Sequence, residues 1–270
     1  MVFVPLLVGF LLQAAVHLID VIIVFLRMAA SKSATPAGST VSSLMNAEMA
    51  QPMNIAYTNL ALHLLFLLVF GLWYRYIFIK EETLPTLIKS NLKKLGILIP
   101  IALVIAGCAA QYMTDAVLAL LRPVLPGIFA AYDKVLENLI GVASAWPSVL
   151  AAFLVAPFAE EFFFRGVILG YAKRLLPKTP AVLLTALLFG CYHGNLIQGV
   201  YATVFGILLG FLAVRFESLI PGILFHLSVN VSLLFLPDPA RFGMSFVILT
   251  GVVAALVLAG GIFFVFRKEK

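Results

Sequence analysis

Residues 147–172 read PSVLAAFLVAPFAEEFFFRGVILGYA, an apolar run with three charges near its middle. It is long enough to cross a membrane, because a spanning helix needs about 20 predominantly apolar residues. The charges are Glu160, Glu161 and Arg165. A charge at bilayer depth costs about 2.5–3.5 kcal/mol or more, so ionisable residues there are functional candidates. This stretch therefore predicts a membrane-embedded chain and also locates a candidate site.

The composition of the chain excludes an ordinary soluble domain. Of its 270 residues, 63% are hydrophobic and 11% are charged, and the mean hydropathy is +1.11. A soluble domain averages about 25% charged residues. The net charge of +6 does not indicate a nucleic-acid partner, because basic residues gather at helix ends as membrane topology requires. Cys108 and Cys191 lie in apolar runs without metal-binding spacing, and we interpret both as small packing residues.

Eight apolar segments are long enough to be membrane helices, which predicts an all-α, polytopic membrane helix bundle. Their approximate bounds are 2–27, 55–79, 95–121, 147–172, 180–197, 199–216, 218–236 and 244–266. The first lacks a basic leading stretch and is too long for a signal peptide, so we expect it to be retained. We expect residues 1–270 to form a single membrane-embedded domain.

Three segments connect these helices in different ways. Residues 31–51 are rich in Ser, Ala, Thr and Gly, a composition that predicts a loop. Residues 83–94 alternate apolar and basic side chains, which predicts a helix on an anionic membrane surface. Residues 123–146 are mostly apolar but are interrupted by three charges, so we place them at the opposite interface, as an interfacial helix.

The distribution of Lys and Arg predicts the orientation of the bundle. With eight spans, both termini lie on one side. That side carries twelve basic residues: Arg75, Lys80, Lys89, Lys93, Lys94, Lys173, Arg174, Lys178, Arg215, Arg267, Lys268 and Lys270. The other side carries five: Arg27, Lys32, Arg122, Lys134 and Arg241. We therefore predict that both termini are cytoplasmic.

Two further polar motifs lie in predicted spans. FGCYH covers 189–193 and HLSVN covers 226–230. Glu160 lies 13 residues from Lys173, His193 lies 15 from Lys178, and His226 lies 11 from Arg215. At about 1.5 Å per residue, these side chains share a depth of roughly 16–23 Å from the basic side. Residues on three helices at one depth can form one site, which we expect to open toward the cytoplasm.

Helical spacing separates the two glutamates. Glu161 and Arg165 are four residues apart with the acid first, the favourable order for an ion pair, so we expect them to neutralise one another. Glu160 is rotated by about 100° and is left as the free carboxylate. His226 and Asn230, also four apart, share one helix face, and Phe189 is spaced to pack against His193.

Other polar and small residues have ordinary interpretations. His17 and His63 lie in apolar runs without a motif around them and are expected to be packing residues outside the site. Gly166 with Gly170, and Gly206 with Gly210, have the four-residue spacing that allows close helix packing in membranes. The glutamate pair is harder to explain by packing, and its main structural alternative is a proton-coupled transporter.

EEFFFRG, FGCYH and HLSVN resemble the EExxxR, FxxxH and HxxxN motifs of the CPBP intramembrane proteases. That family includes the type II CAAX prenyl endopeptidases and the bacterial bacteriocin-immunity (Abi) proteins. All three motifs occur in the family's order without a substitution at a defining position. The resemblance covers about 147–236, which we take as the catalytic core, and the eight-helix prediction agrees with the family's fold.

The resemblance implies roles for the site residues. Glu160 would activate a water molecule, His193, His226 and Asn230 would complete the catalytic set, and Glu161, Arg165 and Phe189 would support it. Two versions stay open. In one, His193 and His226, with Glu160 as base or ligand, hold a zinc ion that lowers the pKa of the water. In the other, no metal takes part: Glu160 and His193 polarise the water while His226 and Asn230 stabilise the oxyanion.

The function predicted from these residues is an intramembrane endopeptidase. Its expected partners are the lipid bilayer and a membrane-associated polypeptide substrate, of prenylated CAAX-like or bacteriocin type, while the oligomeric state stays open. The expected location is a bacterial cytoplasmic membrane. The alternatives are a non-catalytic immunity or scaffold protein and a proton-coupled transporter. Peptide cleavage that is lost when Glu160 is changed would separate the first class from the other two.

The predicted topology is tested with reporter fusions. A reporter after Lys270 and another within residues 31–51 should report opposite sides of the membrane, the first cytoplasmic, because one span separates the loop from the N-terminus. Paired alkaline phosphatase and fluorescent fusions measure this. Two reporters on the same side would contradict the count of eight spans.

Overall fold

A computed structural model describes residues 2–30, 40–79, 93–143 and 145–267, with the side chains of 135–143 excepted. Throughout these residues the secondary structure is helical, and they contain no strand. The fold class predicted from the sequence, a polytopic helical membrane bundle, is confirmed.

Ten helices occur in the described part of the chain. In chain order they are α1 (Phe3–Ala30), α2 (Val41–Met49), α3 (Pro52–Phe78), α4 (Leu98–Leu121), α5 (Pro126–Ala143), α6 (146–172), α7 (Lys178–Tyr192), α8 (Leu196–Phe216), α9 (Ile220–Ser232) and α10 (Met244–Phe266). A 3-10 turn at Pro239–Phe242 precedes α10. Five of the described helices, α1, α3, α4, α8 and α10, have the length and composition of membrane spans. The other three predicted segments overlap α6, α7 and α9, but α7 and α9 have only 15 and 13 residues and end before the predicted spans do.

The helices pack around a core that is rich in aromatic side chains. The centre of α3 contacts the centre of α6, where Phe66, Phe70 and Phe163 meet at ring separations of 4.3–5.4 Å. Close pairs also form between α4 and α10, α4 and α9, and α7 and α8. The outer faces of α1 and α10 are mostly exposed and apolar, as expected for faces that contact lipid.

Helix α6 widens into a π-helix twice along its length. Its consecutive segments are the α-helical Trp146–Leu150, the π-helical Ala151–Val155, the α-helical Ala156–Glu160, the π-helical Glu161–Ile168 and the α-helical Leu169–Ala172. Pro157 has no N–H, and its ring would clash with the carbonyl four residues earlier, so the turn before it widens. π-Helical turns are rare and often mark functional sites. The second one begins at the glutamate pair.

The prediction of a loop over residues 31–51 is wrong for its second half, where Val41–Met49 forms α2. Thr40 starts this helix: its hydroxyl accepts from the Ser43 N–H at 3.2 Å, and the Ser43 hydroxyl accepts from the Thr40 N–H at 3.0 Å. Reciprocal capping of this kind satisfies two free amides. The sequence analysis read the serines as loop formers and overlooked their capping role.

The fifth predicted span, 180–197, is also wrong at its end, because α7 stops at Tyr192. Gly194 has φ +70°, a left-handed conformation that ends the helix. Asn195 then caps α8 by accepting from the Gln198 N–H at 2.8 Å. His193 consequently lies in a turn between two helices instead of inside a helix.

Two predicted interfacial segments have different outcomes. Most of residues 83–94 lies outside the described residues, so that surface helix stays a prediction. Residues 123–146 contain α5, as predicted. An ion pair of 2.7 Å between Arg122 and Asp133 joins the end of α4 to α5.

Glycine permits the tight contact between α7 and α8. A Cβ atom at Gly190 would overlap the Gly199 carbonyl oxygen and the Thr203 side chain. Gly206 and Gly210 face Ala186 and Val182 in the same interface, so this spaced pair does serve helix packing.

We expect Gly190→Ala to destabilise the protein by about 1–3 kcal/mol, because a buried methyl group without space forces the helices apart. Thermal unfolding of the purified protein in detergent measures the effect. Gly260→Ala in α10 is the matched control, since nothing lies within 4 Å of its added Cβ and alanine favours a helix. Equal melting temperatures for the two variants would contradict this packing role.

Candidate active site

A completely buried ion pair anchors the site. Arg165 Nη1 lies 3.0 Å from Glu161 Oε1, and both side chains have no exposed surface. The guanidinium also donates from Nη2 to the Gly206 carbonyl at 3.3 Å, and it lies 4.3 Å from the centroid of the Phe189 ring. The pair predicted from the four-residue spacing is present, and it joins α6 to α7 and α8.

His226 contacts both glutamates from the neighbouring helix α9. Its Nδ1 lies 3.1 Å from Glu161 Oε1, and its Nε2 lies 3.7 Å from Glu160 Oε2. The first distance is a hydrogen bond, which places the Nδ1 proton toward Glu161. The second is too long for a direct hydrogen bond, but a water molecule beside the two atoms can contact both.

The sequence analysis paired Glu161 with Arg165 alone, and the structure adds a second partner. Glu161 Oε1 accepts from Arg165 and from His226. Its role therefore extends from neutralising Arg165 to fixing the orientation and tautomer of the imidazole. Spacing along α6 could not show this contact, because His226 lies 65 residues further along the chain.

Glu160 occupies the position expected of the free carboxylate. Its side chain is 11% exposed and faces His226, with no basic side chain of α6 beside it. The carboxylate is thus largely buried beside one imidazole. Such a group can take a proton from a water molecule if water reaches it.

His193 lies against the same aromatic ring as His226. The Nδ1 of His193 is 2.8 Å from the Phe189 carbonyl oxygen, so Nδ1–H donates and Nε2 is left available. The Phe189 ring makes edge-to-face contacts with both imidazoles, at centroid separations of 4.8 Å to His193 and 5.9 Å to His226. The Phe189 ring therefore packs against both histidines.

Asn230 contacts the backbone of α6. Its amide Nδ2 donates to the Ala152 carbonyl at 3.0 Å, and Ala152 lies in the first π-helical segment. A carbonyl freed by the widened turn thus obtains a donor from α9. One amide proton and the amide oxygen of Asn230 are not used in this bond.

The sequence analysis overlooked Gly222, which makes space for the glutamate. A Cβ atom at this position of α9 would lie 2.9 Å from Glu161 Oε2. The sequence feature that could have indicated this role is a glycine one helical turn before His226.

Glu161 Oε2 and Arg165 Nε are buried without a hydrogen-bond partner in the described part of the protein. The ion pair is therefore held in place although two of its polar atoms make no hydrogen bond.

A second polar group was also overlooked, in the middle of α4. Gln111 Nε2 donates to Asp115 Oδ1 at 2.8 Å. The hydroxyl groups of Tyr132 from α5 and Tyr201 from α8 lie near this carboxylate. The sequence feature that could have indicated this group is Asp115, an acidic residue within the apolar run of α4.

The remaining histidines lie elsewhere, as expected. His63 bonds to the Asn59 carbonyl of its own helix at 2.7 Å, and His17 is exposed on α1. Neither has a contact with the site among those described.

The donor atoms do not form a three-ligand metal site as they are placed. Over the described ranges, no group of three or more His, Cys, Asp or Glu side chains is arranged to hold a metal ion. His226 Nε2 and Glu160 Oε2 come close to one another, but no third donor joins them. A zinc ion would require the side chains to move.

Comparison with known proteins agrees with this geometry. The family model described as "Type II CAAX prenyl endopeptidase Rce1-like" matches residues 142–232. This segment, about a third of the chain, is therefore similar to the CPBP/CAAX protease family. The match includes all three motifs and nearly all of the expected catalytic core, 147–236. No curated protein and no solved structure gives a significant match to the chain.

The match of residues 142–232 has two functional implications. The similarity suggests a peptidase of the CAAX type. Together with the apolar helices it also supports an integral membrane protein. The individual roles of Glu160, His193, His226 and Asn230 remain predictions.

We expect Glu161→Ala and Arg165→Ala each to destabilise the fold by about 3–5 kcal/mol, because each leaves a buried charge without its partner. Thermal unfolding in detergent measures this. Glu48→Ala removes an exposed glutamate and serves as the control. The double variant Glu161→Ala/Arg165→Ala should lose less stability than the two single changes together; full additivity would show that the pair is not coupled.

Proposed function

We propose that this protein is an intramembrane endopeptidase in which Glu160 activates a water molecule to hydrolyse a peptide bond. The observation that carries the proposal is the pairing of the Glu160 carboxylate with the His226 imidazole at 3.7 Å. Glu161 is engaged by Arg165 and His226, which leaves Glu160 as the available base. The family match supports the reaction class.

In the proposed mechanism, water lies beside Glu160 Oε2 and His226 Nε2. Glu160 removes a proton as the oxygen attacks the peptide carbonyl, and it returns a proton to the departing amine. The Glu161 carboxylate accepts from His226 Nδ1 and holds the ring with Nε2 toward Glu160. When Nε2 also carries a proton, it can donate to the oxyanion of the tetrahedral intermediate.

His193 and Asn230 would complete the site around this pair. With Nδ1 engaged by the Phe189 carbonyl, His193 presents Nε2 to the water or the substrate. Asn230 holds the α6 backbone through Ala152 and has a second amide proton for the oxyanion. These assignments follow the metal-free version, which the present placement of the donors favours. If zinc binds, His193, His226 and Glu160 would hold it, and it would supply a water of lowered pKa.

The proposed substrate is a membrane-associated polypeptide, since the site lies among membrane helices. A CAAX-like, prenylated chain is the substrate class that the family suggests. A bacteriocin-type precursor would need the same reaction, hydrolysis of a peptide bond at the membrane. Loss of cleavage in a Glu160 variant separates this enzyme from a scaffold protein or a proton-coupled transporter.

We expect Glu160→Gln to remain folded and to lose peptide cleavage by about 10²–10⁴-fold, because glutamine fills the same volume but cannot take a proton. The measurement is cleavage of a lipidated fluorogenic peptide by purified protein. Glu217→Gln, at an exposed position, is the matched control and should keep full activity. Parallel assays with a chelator, and metal analysis of the same sample, distinguish the zinc-dependent mechanism from the metal-free one. Undiminished cleavage by Glu160→Gln would reject Glu160 as the base.

A further inference from the structure

We propose that this protein binds an anionic phospholipid where the C-terminal ends of α8 and α10 meet. The phosphate headgroup occupies a polar cavity, and an acyl chain lies along an adjoining apolar crevice. This site is separate from the candidate active site, and the proposal does not depend on the proposed peptidase activity.

The polar cavity lies between the residues that precede α4 and the turn that joins α8 to α9. Its volume is about 220 Å³, several times the volume of a water molecule. The residues that line it are Lys94, Leu95, Arg215, Phe216, Glu217 and Ser218. Two of them are cations and one is an anion. The Ser218 hydroxyl accepts from the Ile220 N–H at 3.2 Å, so its own proton is available to a ligand.

The two cations of this cavity have no acidic partner. Neither Lys94 nor Arg215 forms an ion pair with Glu217 or with any other carboxylate in the described ranges. Arg215 is nevertheless held in place, because its Nε donates to the Val265 carbonyl at 3.3 Å and its Nη2 donates to the Arg267 carbonyl at 3.0 Å. A guanidinium has five N–H donors. Arg215 therefore keeps further donors, in a fixed position, for the oxygens of a phosphate group.

An apolar crevice begins one helical turn from Arg215 along α8. Leu208 and Leu212 of α8 line it together with Ile262 and Val265 of α10, and residues of α4 and α9 form its floor. The space inside is only about 10 Å³, about one water molecule, so an acyl chain would lie along the opening and not inside. The Val265 carbonyl that binds Arg215 belongs to this lining. The cationic and apolar parts are therefore adjacent.

A ligand that fits both parts is anionic at one end and apolar at the other. Lys94 and Arg215 belong to the side that the Lys/Arg distribution predicts to be cytoplasmic, and the cytoplasmic leaflet carries anionic lipids. Basic pockets between membrane helices on that side suit phospholipid headgroups. Inorganic phosphate has the same anionic chemistry but nothing to place along the crevice. Comparing the two therefore identifies the source of the phosphate.

The headgroup is tested with the purified full-length protein in detergent. Native mass spectrometry measures how much phosphatidylglycerol and phosphatidylcholine, with identical acyl chains, stays bound. We expect phosphatidylglycerol to be retained about tenfold better, and Lys94→Gln and Arg215→Gln each to reduce that preference about fivefold, the contribution of one basic side chain near an anionic lipid. Lys178→Gln and Arg174→Gln are the matched controls, since both are exposed basic residues that do not line the cavity.

Two results of this measurement would overturn the proposal. One is equal retention of the two lipids by the unchanged protein. The other is a loss of preference in the control variants as large as in Lys94→Gln and Arg215→Gln, which would show that only the overall charge matters. Lys94 is exposed and makes no hydrogen bond among the described residues, so Lys94→Gln gives an answer even if Arg215→Gln unfolds.

The apolar part is tested at two neighbouring positions of α10. Ile262→Trp places a larger side chain at the crevice and should lower phosphatidylglycerol retention several-fold. Phe263→Trp is the control, because Phe263 is 75% exposed and does not line the crevice. Phosphatidylglycerol should also raise the melting temperature, as a ligand of the folded state does, whereas inorganic phosphate at the same concentration should not. Equal stabilisation by phosphate, or unchanged retention in a folded Ile262→Trp protein, would contradict a phospholipid as the ligand.

Discussion

The arrangement of the site depends on the Glu161 carboxylate, which is buried among four helices. It accepts hydrogen bonds from Arg165 on its own helix and from His226 on α9. Arg165 in turn reaches the α8 backbone and the Phe189 ring of α7. A buried charge is tolerated only with such partners. One interaction therefore fixes the relative positions of α6, α7, α8 and α9 and keeps Glu160 available for chemistry.

The backbone around this carboxylate departs from regular α-helix where the site requires it. The π-helical segments of α6 include Ala152, whose carbonyl binds Asn230, and begin again at Glu161. Gly222 and Gly206 remove the side chains that would otherwise occupy the space of the carboxylate and the guanidinium. Small residues thus provide both the close helix packing and the volume for the polar groups.

The short helices α7 and α9 relate the site to the membrane. Both end near the site residues, because His193 follows the last residue of α7 and Asn230 lies two residues before the end of α9. The proposed hydrolysis needs such a place, since a peptide bond and a water molecule must meet where lipid would otherwise be.

The sequence by itself determined the features that are local along the chain. The eight apolar segments, the Glu161–Arg165 pair, the contact of Phe189 with His193 and the three motifs all follow from periodicity or four-residue spacing, which helix geometry fixes. Even so, α2 and the early end of α7 were missed. Thr40 begins a helix in a polar stretch that has no apolar periodicity, and the left-handed Gly194 ends a helix within an apolar segment.

Only the tertiary structure decided the contacts between helices. The bond from His226 to Glu161, the placement of Asn230 on Ala152 and the shared Phe189 ring depend on how α6, α7 and α9 rotate and approach one another. That rotation results from many weak packing contacts between residues far apart in the chain. For the same physical reason, the order of buried and exposed side chains around the site could not be obtained from spacing along the sequence.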